Sequence, residues 1–299
     1  LGVQNPDDKI YARINRGHKV KDVEESTKLL KDSAFKVLYH LMPGLPGSTV
    51  KKDFKNFKKI FSDERFMPDM VKFYPTLVLR NTKLFEEWKQ GSYSPMSEKK
   101  AINLISEIKS EIPKWVRVMR VNRDIPSTVI EAGPKKTNLR QAIHEKMKEE
   151  GKECKCIRCR EAGLKSRDSE DFLGDGKIMR EDYNASGGRE IFLSYESKKA
   201  LYGFLRLRIP SSPFRSEITE SSALIRELHV YGKTLGVGKK GESTQHKGIG
   251  KLLMAEAEAI ASEDFDAKKM VIISGLGVKE YYRKNFGYRK DGPYMSRRF

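Results

Sequence analysis

Gln245-His246-Lys247-Gly248-Ile249-Gly250-Lys251, running straight into Leu252-Leu253-Met254-Ala255-Glu256-Ala257, decides the fold of the C-terminal half of this chain. It reads Q-x-x-G-x-G at the start of an amphipathic helix, just after the apolar run Leu224 to Tyr231 and a Gly/Lys-rich loop. Such a loop turns successive backbone N–H groups into one concavity at the positive end of a helix, and that suits a diphosphate. Gly248 and Gly250 leave its approach open. A glycine-rich turn capping an ordinary helix has the same local sequence, so the pattern needs its context. Lys239, Lys240, Lys247 and Lys251 add positive charge around the loop, or are solvated surface lysines.

Downstream, Lys268 to Ser274 is a β-branched run that reads as a buried strand. Gly277 to Tyr288 then reads as a short helix ended by Gly287. Upstream, Glu190 to Tyr195 and Leu201 to Leu207 read as strands of an antiparallel meander. Strand, Q-x-x-G-x-G, helix, strand and a Tyr-Tyr helix closing on F-G-Y resemble the GNAT superfamily of acetyl-CoA-dependent N-acetyltransferases. The resemblance implies that Gln245, His246, Lys247, Gly248, Ile249, Gly250 and Lys251 hold the CoA diphosphate. Backbone groups of Leu228 and Val230 would meet the pantetheine and acetyl carbonyl. Tyr281 or Tyr282 would protonate the leaving thiolate, with Tyr282 preferred. His229, on the same strand, is either a base toward water or a hydrogen-bonded core histidine.

The chain has 299 residues, enough for two domains with a core each. A formal charge of +18 and a pI near 9.6 point to an anionic polymer as partner. No apolar run approaches the ~20 residues needed to cross a bilayer. The start, Leu1 to Pro6, lacks the features of a secretory signal and is what a fragment would show. The cytoplasm is the expected compartment.

All three cysteines lie in Cys154-Lys155-Cys156-Ile157-Arg158-Cys159. Clustered thiols among cations read as metal ligands rather than as a disulfide framework. C-x-C-x-x-C gives zinc three of its four tetrahedral ligands, in a structural site, with an iron–sulfur cluster and unliganded surface thiols as the alternatives. His144 is the nearest imidazole for the fourth, and His18 or a carboxylate would serve equally. Lys135, Lys136, Arg140, Lys152, Lys155, Arg158, Arg160, Lys165 and Arg167 surround this knot and suit RNA phosphates. Glu145, Glu149, Glu150 and Glu153 dilute the run, so part of it also reads as a solvated helical face.

The front of the chain alternates helix and strand. Helices are expected at Val23 to Leu30, Val50 to Phe61, Leu84 to Gln90 and Glu98 to Ile112. Strands are expected at Phe35 to Met42, Asp69 to Pro75 and Trp115 to Val121. Alternation of this length implies βα units around a parallel sheet.

Taken in order, Leu1 to Gln4, Ile14 to His18, Tyr39 to Gly47, Trp88 to Gly91, Arg123 to Pro126, Asn138 to Gln141, the cysteine knot, Ala185 to Ser194 and Glu227 to Gly232 resemble the catalytic-subunit family of the Elongator complex along essentially the whole chain. That family joins a radical-SAM domain to a GNAT-like domain and modifies the wobble uridine of tRNA. The resemblance implies 5-carboxymethyluridine as product, made from acetyl-CoA and S-adenosylmethionine, an adenosyl radical activating the acetyl methyl group. The implied partners are the anticodon stem-loop of tRNA and further Elongator-type subunits or a second copy. Gln4 and the Gly44/Gly47 loop resemble positions lining the S-adenosylmethionine site, or are simply a strand residue and a turn.

The expected fold is therefore α/β. Residues 1–130 would be the C-terminal part of a radical-SAM (β/α) barrel, 131–170 a basic zinc-binding linker, and 171–299 a mixed α/β GNAT-type acetyltransferase domain. The family's four-iron four-sulfur cluster is held by cysteines that precede Leu1-Gly2-Val3-Gln4. The chain as given is expected to lack the cluster and its radical chemistry, and to keep acetyl-CoA and tRNA binding with tRNA-stimulated acetyl-CoA hydrolysis. A non-catalytic tRNA-binding platform and a protein lysine N-acetyltransferase are the competing readings.

Overall fold

The structure, a computed structural model, describes residues 1–122, 125–165, 176–231 and 248–299. They form two compact units, Leu1–Glu25 with Val37–Arg158, and Ser26–Lys36 with Cys159–Phe299. The stretch read as a separate linker is thus divided: residues 131–158 fold with the first unit. Residues 26–36 count with the second, which no local pattern announces.

In the first unit, the Asp7 carboxylate accepts from the N–H groups of Lys9 and Ile10 and caps α1 (Asp8–Arg13). After α2 (Val20–Asp32) come β1 (Leu38–Leu41), α3 (Val50–Ser62), β2 (Met70–Phe73), β3 (Val78–Leu79), α4 (Lys83–Lys89), α5 (Glu98–Glu111), β4 (Arg117–Val121), β5 (Ile130–Ala132) and α6 (Leu139–Glu149). β1, β2 and β4 form a parallel sheet in that order, with Leu38 opposite Met70 and Met70 opposite Arg117. This is the expected βα architecture. Tyr39, Leu41, Val71 and Phe73 are buried in it, and Phe57, Ile60 and Phe61 of α3 supply apolar cover. Phe54 is only partly buried, and its neighbour Asp53 goes inside instead.

The second unit is built on one sheet, β11-β12-β10-β9-β8-β7-β6, preceded by α7 (Ile157–Arg160) and α8 (Ala162–Lys165). The elements are β6 (Lys177–Ala185), β7 (Gly188–Glu196), β8 (Leu201–Ile209), β9 (Ser222–Val230), α9 (Ile249–Glu263), β10 (Lys269–Ile272), α10 (Lys279–Phe286), β11 (Arg289–Asp291) and β12 (Tyr294–Arg298). β7 and β8 are the expected meander strands, and β6 to β9 pair antiparallel throughout. β10 then lies parallel to β9, so the connection must cross over, and α9 makes the crossing. One face of the sheet is apolar: Ile191, Leu193, Leu205, Leu207, Ala223 and Ile225 pack with Leu253, Met254, Ala257 and Ile260 of α9. Each leucine, isoleucine or methionine side chain among them contributes about 1.5–3 kcal/mol on burial. The other face buries Arg206, Arg208, Arg226 and Glu190, with Lys31 and Asp32 of α2. Gly287 ends α10 in the left-handed conformation at φ +72°, as its place in the sequence predicts.

Candidate acetyl-CoA site and metal-binding cysteines

β9 and β10 run in register only from Ser222–Lys269 to Ile225–Ile272, where β10 stops. β9 continues to Val230, still paired with β8 through Arg206–Glu227, Leu205–Leu228, Phe204–His229 and Gly203–Val230. On its β10 side no strand pairs with Glu227 to Val230 among the described residues. Backbone groups of a strand edge suit a ligand that carries amides.

The same stretch carries a β-bulge. Leu207 pairs with Ile225 and Arg206 with Glu227, leaving Arg226 as the extra residue. One extra residue reverses which side chains face which way. Before it, Ala223 and Ile225 join the apolar core; after it, Leu228 and Val230 pack against that core. Glu227 meets Arg206 on the other face, at 2.9 Å, and His229 stacks on Phe204 there with centroids 5.8 Å apart.

Gly248 is the N-cap of α9; its φ of +144° is open only to glycine in practice, and among the described residues it brings no side-chain cap to the first turn. The leading N–H groups of α9 therefore keep their capacity to hold an anion. A β-carbon on Gly250 would lie 2.9 Å from the Tyr281 hydroxyl, 3.7 Å from Val230 Cγ2 and 3.9 Å from Leu228 Cδ2. The first turn of α9, the end of β9 and Tyr281 thus converge. Lys251 is exposed beside them, and Ile249 is buried in the core. Gln245, His246 and Lys247, with Lys239 and Lys240, lie outside the described residues.

The tyrosines separate by face. Tyr282, the one preferred from sequence, is 6% exposed and packs with Phe286 and Tyr288; burial pushes its phenol up to about 12. Tyr281 is 39% exposed and its hydroxyl is the atom nearest a β-carbon added at Gly250; partial burial raises its phenol. Successive helical residues point about 100° apart, so only one of the pair can face the opening. Geometry gives that place to Tyr281. His229 is exposed rather than a core residue, with Tyr231 edge-on to it at 4.5 Å.

The three thiol sulfurs of Cys154, Cys156 and Cys159 lie within 4.8 Å of one another, and Cys156 is buried. Thiolates on one tetrahedral ion, with bonds of about 2.3 Å, stand about 3.8 Å apart, so this set could hold a metal ion. His144 is not in that group. Its Nε2 lies 3.2 Å from Lys109 Nζ, and burial, followed by Lys109 and Arg140, pushes its imidazole down to about 4. His18 instead packs edge-on against Tyr11 at 5.0 Å.

The basic residues are unequal. Lys135 and Lys155 are exposed, while Lys136 and Arg158 are half-buried. Arg140 donates to the Val118 carbonyl at 3.1 Å. Lys152 pairs with Glu107 and Glu150, and Arg160 with Glu196. The Lys165 side chain and Arg167 lie outside the described residues. Gln4, at φ +61°, bridges to Leu41 at the C-terminal end of β1, and its N–H donates to the His40 carbonyl at 2.6 Å.

Sequence reasoning missed Asp53. Its fully buried carboxylate accepts from Asn5 Nδ2 at 2.8 Å, the Gly44 N–H at 2.8 Å and Ser48 Oγ at 2.5 Å. It thereby ties the residue after Gln4 to the Gly44/Gly47 loop. A lone aspartate in a Lys-rich helix carries no sign of this. No helix among the described residues is long and apolar enough to cross a membrane.

Comparison with known proteins now adds to this geometry. Residues 68–149 match the Radical_SAM C-terminal domain. The tRNA uridine(34) acetyltransferase of Methanocaldococcus infernus is 51% identical over 304 residues, which span 99% of this chain and 57% of that protein. Human Elongator complex protein 3 is 43% identical over 299 residues, 99% of this chain and 54% of that protein. The chain thus spans little more than half the length of these relatives. The solved structure of the archaeal Methanocaldococcus infernus Elp3 with an N-terminal deletion (1-46) superposes with a TM-score of 0.94 at 49% identity, over 100% of this chain and 71% of that one. With the Radical_SAM C-terminal domain match at residues 68–149 and this likeness over its full length, the chain belongs to the Elongator complex protein 3 (Elp3) family.

Proposed function

We propose that this chain is the acetyl-CoA- and tRNA-binding part of a tRNA uridine(34) acetyltransferase, an acyltransferase that builds 5-carboxymethyluridine at the wobble position. The observation that carries the reading is the stretch of β9 that runs on beyond its pairing with β10, beside the glycine-led start of α9. The name borne by the archaeal relatives supplies the substrate.

The first turn of α9 from Gly248, with Gln245, His246, Lys247 and Lys251, would hold the CoA diphosphate. The open edge of β9 at Leu228 and Val230 would hold the pantetheine and the acetyl carbonyl through backbone hydrogen bonds. Tyr281 would give its proton to the departing thiolate. His229, exposed on the face of β9 opposite Leu228 and Val230, would take a proton from water in the hydrolytic reaction. Cys154, Cys156 and Cys159 would hold a structural zinc ion. The cations beside them would meet the phosphates of an anticodon stem-loop, with Lys135 and Lys155 the most accessible.

In the whole protein, S-adenosylmethionine and a four-iron four-sulfur cluster would supply the radical that activates the acetyl methyl group. Gln4 and the Gly44/Gly47 loop sit at the carboxyl ends of parallel strands, where α/β proteins bind nucleotides, and fit one side of that cofactor. The same reading sets the protein in the cytoplasm, with other Elongator-type subunits or a second copy as partners.

The test is acetyl-CoA hydrolysis with and without tRNA. Hydrolysis that rises on adding tRNA is the expected result. Thioester loss that is equal in both samples favours a tRNA-binding platform, and acetyl transfer to lysine peptides without RNA dependence favours a protein acetyltransferase.

A further inference from the structure

The two glycines of G-x-G are there for different reasons. At Gly248 the backbone adopts φ +144° and an added β-carbon would meet no heavy atom within 4 Å, so what the position needs is conformational freedom. Gly250 is helical, without a positive φ, and alanine would be the better helix former there. What glycine provides at this position is room. The nearest atom to a β-carbon would be the Tyr281 hydroxyl at 2.9 Å, closer than such contacts occur, whereas Val230 and Leu228 at 3.7 and 3.9 Å are at ordinary van der Waals distance.

We propose that Gly250 is a positioning residue whose missing side chain seats the Tyr281 hydroxyl against the first turn of α9. Its consequence for catalysis rests on the acetyl-CoA reading; the seat itself does not. The Tyr281 hydroxyl is the far end of a rotatable side chain on a partly exposed helix. It would yield to a methyl group without disturbing the fold. Gly250→Ala should therefore leave the chain at least as stable as before, while moving the Tyr281 hydroxyl.

Two measurements decide the matter. In the chain labelled with 3-fluorotyrosine at position 281, Gly250→Ala should shift the fluorine resonance and lower the phenol pKa toward its ordinary value, with no ligand present. An unchanged resonance and titration overturns the proposal. In acetyl-CoA hydrolysis, Gly250→Ala should lower kcat about 10-fold with KM nearly unchanged, a loss of stabilisation confined to the transition state. In a Tyr281→Phe background the hydroxyl is gone, and the same substitution should change kcat less than about twofold. If Gly250 instead serves the approach of the diphosphate, Gly250→Ala raises KM equally in both backgrounds, and that result also overturns the proposal. Failure of the parent chain to bind acetyl-CoA would sink the functional reading, while the fluorine experiment would still decide the seat.

Discussion

Arg226 and Glu190 meet at 2.7 Å inside the second unit, each 1% exposed. Glu190 also accepts from Arg208 Nη1 at 2.9 Å and stands 3.4 Å from Lys31 Nζ, so one carboxylate is shared by three buried cations. Asp32 shares the load through Arg208, at 2.6 Å. Arg226 is the bulged residue of β9, and its guanidinium also donates to the Phe35 carbonyl at 2.7 Å. The bulge that turns Leu228 and Val230 toward α9 is therefore anchored by this pair.

Glu190→Ala should destabilise the second unit by about 3–5 kcal/mol, because the partners it leaves are buried charges. Urea denaturation followed by tryptophan-independent circular dichroism measures it. A cost under about 1 kcal/mol would mean that the network is solvated, as exposed ion pairs are.

These arginines show where sequence reading stops. In Phe204-Leu205-Arg206-Leu207-Arg208 the alternation says that one face is apolar and the other is wet. Both arginines are nonetheless buried, because Asp32 and Glu190, distant in sequence, meet Arg208 there. Local periodicity carries no record of such partners. It did give β7 to β10, α9, α10 and the βα alternation of the first unit, where runs are long or β-branched. It did not give β6, whose Arg180-Glu181-Asp182 interior looks like a loop, nor the short pair β11 and β12. The choice between Tyr281 and Tyr282 is out of reach of sequence for a related reason: two rings stand side by side, and only packing says which one the core takes.

Asp53 predicts a pH dependence. Burial, outweighing the hydrogen bonds from Ser48, Gly44 and Asn5, pushes its carboxyl from the ordinary 3.8 up to about 6. The folded state then binds the proton more tightly than the unfolded chain. The stability this gives is complete below about pH 4 and is lost as pH rises toward about 6, by up to about 3 kcal/mol. Asp53→Asn should remove that slope, seen as denaturation midpoints for the first unit that no longer fall across the window. A slope identical in both proteins would assign it to other groups.

Cys156 is the buried member of the thiol group, so Cys156→Ser should abolish metal retention. Plasma mass spectrometry should find about one zinc per parent chain and little in the variant, since two thiolates and water make a weak site. Equal zinc in both would move the metal elsewhere.

Gly248 gives the most direct test of the whole account. Calorimetric titration with desulfo-CoA reads binding without chemistry. The parent chain should bind, and Gly248→Ala should bind at least about 10-fold more weakly, because alanine resists φ +144° and the leading N–H groups of α9 lose their aim. Absence of binding to the parent chain, or equal affinity in the two proteins, would contradict the assignment of this helix start to the CoA diphosphate.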